Sequence, residues 1–484
     1  MQYFNKNFLA GGICAIQDLQ LIGRFGIYHH IGMQQNLSLK TCLRVVGISI
    51  WDITQLCIRM CIEHGFHLPP TSKTTLIEEH LRRRLFWQCY IIDRYSSTTL
   101  DRPCAIAERD IHVGFLVDVN DDEIIAANDM YPDLDSFNAA HIAHGNSEMT
   151  VFILCLRLRQ ITSLIHSKFT HTFKSSSLNL KLQNLLLVGR IYSDLDSTFQ
   201  KLQEWRDSAP VFSSPRCLYE TQEWFDHLLA RERLLLIRKA IDLIPKRNGV
   251  PPRDLLNLCL EAGIRTITLF SNQFLEKKIT FTRSYFQMMF TAGLSVMFCI
   301  SATADLELLA VKEAILALDS CERTLRQMGT HLPDAQHYAT VFEALVRNFK
   351  RKWDRISRPS SAPPNQTIAG ELSGMTSSAI RTDPYIQGHN FSNQQSNIGT
   401  YPHHANSNLL NYGPTDPSLT WDTSLGTEQP ILDTNDGWGF DDDALHWAFV
   451  NDNTLWNMEV GLGEYAYGER NPNMNIFEGL GLDM

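Results

Sequence analysis

The chain has 484 residues, of which 44% are hydrophobic, and carries a net charge of −10 at pH 7. The charge is uneven: residues 357–484 hold 3 basic and 16 acidic residues, whereas residues 1–356 hold 40 basic and 37 acidic ones. A nearly neutral body excludes a broad electrostatic attraction to nucleic acid, which only a local basic patch can then supply.

The first predicted elements are two helices, over 15–33 and 39–64. Both have apolar residues at helical spacing. Gly65 is placed to end the second helix, and the two prolines at 69–70 break the chain after it.

A longer helix is predicted to start after Thr75. Thr75 and Glu78 have the spacing of a capping box, in which each side chain binds a free backbone N–H of the other residue. The helix should end between residues 95 and 99, ahead of an Arg-Pro pair. Its apolar residues recur at helical spacing and are predicted to share one face: Leu81, Leu85, Cys89 and Ile92.

The rest of the body predicts an all-α fold. Residues 104–135 are acidic and are predicted to be irregular. Long stretches without proline follow, and no alternating strand pattern occurs. The uncharged run 284–304 is long enough to cross a membrane, but we interpret it as a buried helix of a large core. Helices are predicted over 146–172, 179–206, 220–243, 253–276, 283–303, 306–328 and 335–353.

The most specific stretch is residues 79–103, EHLRRRLFWQCYIIDRYSSTTLDRP. It pairs an acid and an arginine at i, i+4 with aromatic bulk, an Asp-Arg pair and a closing Arg-Pro. This combination resembles the fungal-specific transcription factor domain, the regulatory middle homology region of fungal binuclear zinc-cluster transcription factors. The resemblance implies a structural role for its residues, which are Glu79, Arg82, Arg83, Arg84, Phe86, Trp87, Asp93, Arg94, Arg102 and Pro103.

The same resemblance implies a zinc cluster held by six closely spaced cysteines, and no such spacing occurs among the 11 cysteines. We therefore expect no cofactor in this chain, no direct DNA contact from it, and a family domain over 1–356 that is truncated at its N-terminus. Cys57, Cys61 and His64 follow one helix face, where a metal site is the alternative to the favoured buried thiols. Asp101 stands where the family has glycine, and aspartate tolerates the left-handed turn.

The C-terminal region predicts a disordered linker, 357–420, followed by an acidic–aromatic tail, 421–484. Alternating acids and aromatics are typical of activation segments that fold onto a coactivator groove. The alternative is a tail helix docked on its own body. The candidate activation residues are Trp438, Phe440, Asp441, Asp442, Asp443, Trp447, Phe449 and Trp456.

A basic run near the end of the last body helix contains Lys350, Arg351 and Lys352. It is a candidate nuclear-import patch, and the alternative is a set of cations that complements the helix C-terminus.

The known catalytic motifs do not occur, and we predict no enzyme. The expected function is regulation of transcription in a fungal nucleus, with coactivators as partners, a homodimer or a heterodimer with a related regulator, and no membrane. Control of metabolic or secondary-metabolite genes is implied by the resemblance. Two alternatives stay open: a non-DNA-binding partner or competitor of a full-length regulator, and a helical enzyme or ligand-binding protein.

Overall fold

The computed structural model describes residues 12–28, 49–141, 145–169, 180–247, 249–276, 279, 281–303, 307–332, 335–357 and 462. Within these ranges the fold is all-α, as predicted. It has twelve α-helices and no β-strand, and the only β pairing there is an isolated bridge between Arg247 and Val250.

The helices follow one another along the chain, and each helix predicted from the sequence has a counterpart. The bounds are α1 Ile13–Tyr28, α2 Ile50–Glu63, α3 Leu76–Leu100, α4 Asp121–Ala127, α5 Leu134–Ala140, α6 Thr150–Lys168, α7 Leu180–Asp207, α8 Gln222–Leu243, α9 Arg253–Leu275, α10 Arg283–Ala302, α11 Leu308–His331 and α12 Gln336–Ser357. Short 3-10 turns occupy Glu108–Asp110 and Leu218–Glu220. The prediction that 104–135 is irregular is therefore wrong in part, because it missed two short helices and a turn.

Helix α2 begins later than predicted. Ser49 is extended and is the N-cap, its hydroxyl accepts the N–H of Asp52 at 3.0 Å, and the Asp52 carboxylate accepts the N–H of Ser49 at 3.2 Å. This capping box fixes the start at Ile50 and contradicts a single helix from residue 39. Gly65 has a φ of 68° directly after the helix, which confirms the predicted stop.

Helix α3 starts as predicted after Thr75 and ends at Leu100, one residue beyond the predicted range of 95–99. The Thr75 hydroxyl accepts the N–H of Glu78 at 3.2 Å, and the Glu78 carboxylate accepts the N–H of Thr75 at 3.1 Å. At the other end Asp101 is left-handed, with a φ of 52°, and is the only non-glycine residue of the described ranges with positive φ. Its carboxylate accepts from Lys239 Nζ at 2.7 Å, which ties the end of α3 to α8.

The predicted apolar stripe of α3 is wrong at its first position. Leu85 and Cys89 are buried and Ile92 is half-buried, but Leu81 is 49% exposed. The face that α3 buries instead carries charged residues, since Glu79 and Arg83 are both buried there. The free-energy cost of burying these ions is offset by their pairing with opposite charges. A hydrophobic pattern cannot reveal such pairing.

The core has three parts in the described ranges. The largest joins α6 to α12 and is rich in Phe, Leu and Met; a second joins α1, α2, α3 and α6; a small third joins the start of α3 to α4 and α5. Helix α10 lies in the large cluster. It is the one described helix that is long and apolar enough to cross a membrane, and 67% of its most apolar window is buried inside the bundle. This burial confirms the interpretation of the uncharged run as a core helix.

All the described residues belong to one compact unit. Leu462 is the one residue of the C-terminal segment that the structure describes. It is fully buried and belongs to the largest core cluster.

His227 on α8 is buried among aromatic rings. Its ring centroid lies 5.7 Å from that of Trp224 and 5.6 Å from that of Phe270, and neither ring nitrogen has a hydrogen-bond partner in the described part of the chain. Burial, and next the Arg231 charge, lower the pKa of His227 to about 3. The imidazole is therefore neutral in the folded protein at neutral pH.

We expect the free energy of unfolding of the His227→Phe variant to depend less steeply on pH in the acid range than that of the wild-type chain. Between about pH 6.5 and the folded pKa, the unfolded chain binds a proton at this histidine that the folded chain does not. The free energy of unfolding therefore falls by about 1.4 kcal/mol per pH unit below about pH 6 through this group, and the variant loses that slope. Urea unfolding at several pH values measures it. The exposed His112→Gln variant is the control, and an unchanged slope in His227→Phe would contradict the assignment.

Candidate functional site

Helix α3 carries a buried ion pair between neighbouring residues. Arg94 donates to the Asp93 carboxylate, and it also donates from Nε to Glu108 at 3.0 Å and from Nη2 to the Ile106 carbonyl at 2.8 Å. Its guanidinium lies 4.2 Å from the centroid of the Tyr90 ring. Arg94 thus fastens α3 to the segment that follows it.

Asp93 accepts several further hydrogen bonds. The donors are Gln55 Nε2 on α2 at 3.0 Å, the Ala105 N–H at 3.1 Å and the Ser97 hydroxyl at 3.3 Å. Glu108 in turn accepts from the Ser163 hydroxyl on α6 at 2.6 Å. The Asp93–Arg94 cluster therefore joins α2, α3 and α6 to one another and to the loop that follows α3, through charge-assisted hydrogen bonds.

A second pair lies about three to four turns earlier on α3. Arg83 donates to Glu79, which confirms the predicted i, i+4 pair, and also to Asp135 and the Phe115 carbonyl, both at 2.8 Å. A Cβ on Gly114 would lie 2.3 Å from the Arg83 guanidinium, so a larger residue at this position would displace Arg83 from where it lies. Arg83 therefore fixes the course of the loop after α3.

The remaining residues of the 79–103 stretch also make contacts within the body. Arg84 pairs with Asp121, and Trp87 Nε1 donates to the Gly114 carbonyl at 3.1 Å. Arg82 lies over the Phe66 ring and Arg102 over the Trp51 ring, each 4.8 Å from the centroid. Phe86 is fully buried, and Pro103 is exposed in the turn out of α3.

Sequence reasoning missed a third ionic cluster, which joins α6 and α8. The Glu232 carboxylate accepts from Arg159 at 2.9 Å, from Arg231 at 2.9 Å and from the Thr162 hydroxyl at 2.8 Å. Both guanidiniums lie over the Tyr95 ring, that of Arg159 at 4.7 Å and that of Arg231 at 5.0 Å from the ring centroid. We call these residues the Arg159–Glu232–Arg231 cluster.

The charges of this cluster set the protonation of its members. Burial acts to raise the pKa of Glu232, but the Arg159 and Arg231 guanidiniums outweigh it, so the pKa lies below its ordinary value. Burial also acts to raise the pKa of the Tyr95 phenol, and Arg231, the Ser284 hydroxyl and Arg159 together lower it. Positive charge therefore dominates the cluster.

The cluster borders a cavity of about 170 Å³ between α3, α6, α8 and α10. Apolar side chains and hydroxyls share its wall with the charged groups. The residues that line it include Thr98, Leu100, Leu235, Arg238, Met288 and Thr291.

The predicted metal alternative is not supported in the described ranges. No group of three or more His, Cys, Asp or Glu residues there has the arrangement of a metal site. Cys61 instead lies 3.9 Å from Cys89 on α3, and Gln20 donates to Cys89 at 2.7 Å. Burial raises the pKa of the Cys89 thiol, so it is protonated and unreactive at neutral pH.

The other predicted residues lie on α12 or outside the described ranges. Lys350 pairs with Asp319 on α11, and Arg351 is exposed. The side chain of Lys352 and all the candidate activation residues, from Trp438 to Trp456, lie outside the description. The import patch and the activation segment stay predictions.

Comparison with known proteins identifies what the chain is similar to. Residues 37–207 match the model of the fungal specific transcription factor domain. The chain is 24% identical to the negative regulator of pleiotropic drug resistance STB5 of Candida glabrata, over 36% of this chain and 16% of that protein. It is 24% identical to protein STB5 of Saccharomyces cerevisiae, over 64% of this chain and 41% of that protein.

A third relative is the pyrimidine pathway regulatory protein 1 of Saccharomyces cerevisiae, at 24% identity over 51% of this chain and 26% of that protein. The chain thus spans less than half the length of each of these curated relatives. No solved structure matches it significantly. The matched region contains α2 to α7, and therefore both ion pairs of α3.

Proposed function

We propose, from the fungal specific transcription factor domain that residues 37–207 carry, that this chain regulates transcription in a fungal nucleus. The match over those residues is the observation that carries the proposal. Two of the three relatives above are named as regulators, which supports the proposal, and none of the three is named as an enzyme. The genes that it controls are proposed to be metabolic or secondary-metabolite genes, as the resemblance implies.

The helical body would supply regulation and the C-terminal tail would supply recruitment. The ionic clusters of α3 hold the body rigid, which suits a scaffold for a partner surface or a sensor. The tail residues Trp438 to Trp456 would bind coactivators through their aromatic rings, while the neighbouring aspartates keep those rings soluble. Lys350, Arg351 and Lys352 would direct nuclear import.

We expect the full chain, fused to a heterologous DNA-binding domain, to activate a reporter gene through its tail. Replacing the five tail aromatics by alanine should abolish most of that activity. Loss of one buried aromatic anchor costs a binding interface about 2 kcal/mol or more, a roughly 30-fold weaker affinity. The substituted residues are Trp438, Phe440, Trp447, Phe449 and Trp456.

The matched control removes five aromatics that precede Trp438, four in the linker and one at the start of the tail: Tyr385, Phe391, Tyr401, Tyr412 and Trp421. Reporter output is compared at equal protein level on immunoblots. The tail role fails if the fusion activates nothing, or if the two sets of substitutions have equal effects.

The alternative of a non-DNA-binding partner or competitor predicts a different result. Such a chain would bind a full-length zinc-cluster regulator and lower that regulator's output when overproduced. Two observations separate this alternative from the first proposal. One is whether a tagged chain co-purifies with a related regulator, and the other is what the genome encodes upstream in the same reading frame. A six-cysteine cluster encoded there would favour direct DNA binding by the longer protein.

A further inference from the structure

The cavity beside the Arg159–Glu232–Arg231 cluster combines features that a packed core does not need. It has a volume of about 170 Å³ and lies between four helices, α3, α6, α8 and α10. An engineered apolar cavity of about 150 Å³ holds a benzene molecule. The space is therefore enough for a small organic molecule.

The buried end of the cavity has surplus positive charge. Arg159 and Arg231 both pair with the single carboxylate of Glu232, and these side chains are 8%, 12% and 2% exposed. Two guanidiniums against one carboxylate leave one charge uncompensated within the cluster. In a region of low dielectric such a surplus attracts an anion more strongly than it would at the surface.

The more exposed end of the cavity is balanced. Lys239 pairs with Asp101 at 2.7 Å, and the other cation and anion that line this end are Arg238 and Asp242. The attraction for an anion is therefore concentrated at the buried end, where the two arginines meet Tyr95.

Thr98 provides a second observation that points to a ligand. It lines the cavity and is only 5% exposed, yet its hydroxyl oxygen has no hydrogen-bond partner among the described residues. A buried hydroxyl without a partner is costly, so native structures rarely keep one without a reason. A bound acceptor would satisfy it.

We propose that this cavity binds a small organic acid, with its carboxylate toward the Arg159–Glu232–Arg231 cluster and Thr98, and its apolar body against Leu100, Leu235 and Met288. A single negative charge matches the single surplus charge. A doubly charged phosphate fits less well, because Glu232 would repel the second charge. The proposal concerns binding by the body and does not depend on the transcriptional role.

The test is calorimetric titration of the purified full chain with three acids and their neutral amides. The acids are benzoate, 3-phenylpropionate and hexanoate, and each amide keeps the shape but removes the charge. We expect at least one acid to bind with a Kd below about 1 mM, and its amide to bind at least about 10-fold more weakly.

Two variants locate the binding. Thr98→Val removes a hydroxyl that has no partner, so the fold should be intact while the Kd for the acid rises at least about 10-fold. Arg231→Met removes the surplus charge and should weaken binding further. Thr340→Val on the exposed face of α12 is the matched control and should leave the Kd unchanged.

The proposal is overturned if none of the three acids binds, if the amides bind equally well, or if Thr98→Val leaves the Kd unchanged. If Arg231→Met does not fold, Thr98→Val alone decides. Because binding is measured without DNA or a reporter gene, a chain that binds acid but activates no reporter would refute only the proposed function.

Discussion

Replacing Glu232 with glutamine is expected to lower the free energy of unfolding by about 3–5 kcal/mol. The substitution keeps the size of the side chain but leaves the Arg159 and Arg231 guanidiniums buried without their carboxylate. The Thr162 hydroxyl loses a charged acceptor at the same time. Because the three side chains are at most 12% exposed, bulk water compensates poorly for the lost charge.

Urea unfolding followed by circular dichroism measures the effect at pH 7. Glu261→Gln is the matched control, since Glu261 is exposed on the neighbouring helix α9, and it should change the stability by less than about 0.5 kcal/mol. The Glu232 contribution is present at neutral pH and is lost as the pH falls through its lowered pKa. Equal effects of the two variants would show that the cluster does not stabilise the fold.

A second large loss is expected from Asp93→Asn, again about 3–5 kcal/mol. The asparagine keeps one acceptor oxygen, but it turns an NH₂ group toward donors that the carboxylate now satisfies, among them Arg94 and the Ala105 N–H. Arg94 would keep only Glu108 as a charged partner. The connection of α3 to the loop that follows should loosen.

A double-mutant cycle with Arg94→Gln tests whether the two residues act as a pair. The double variant should be more stable than the sum of the single losses predicts, by about 1–3 kcal/mol, because neither charge is then left alone. Asp18→Asn on the exposed face of α1 is the control. Additive losses would mean that Asp93 stabilises the protein through its other hydrogen bonds.

Sequence reasoning succeeded where the signal was local. Thr75 and Glu78 are three residues apart, Glu79 and Arg83 are four apart, and Asp101 precedes an Arg-Pro pair. In each case the geometry of one helix turn decides which atoms meet. The all-α class followed from the same kind of information, because apolar spacing and the absence of proline act within single helices.

It failed where distant segments meet. Arg159 and Glu232 are 73 positions apart in the sequence. The residue pattern of neither helix predicts that the two side chains meet. The exposure of Leu81 has the same origin. Helix α3 turns a charged face inward because Asp135 of α5 and the Phe115 carbonyl accept hydrogen bonds from Arg83. Whether an ion or a leucine is buried at a helix position depends on partners elsewhere in the chain. The periodicity of a single helix does not reveal those partners.

The burial of Leu462 has a consequence for deletion mapping. A truncation that ends before this residue removes a side chain from the largest core cluster, and loss of a buried leucine costs about 2–5 kcal/mol. A shortened chain would thus lose output through lower abundance as well as through a missing recruitment segment. Point substitutions that leave Leu462 in place separate these two causes, whereas a nested series of C-terminal deletions confounds them.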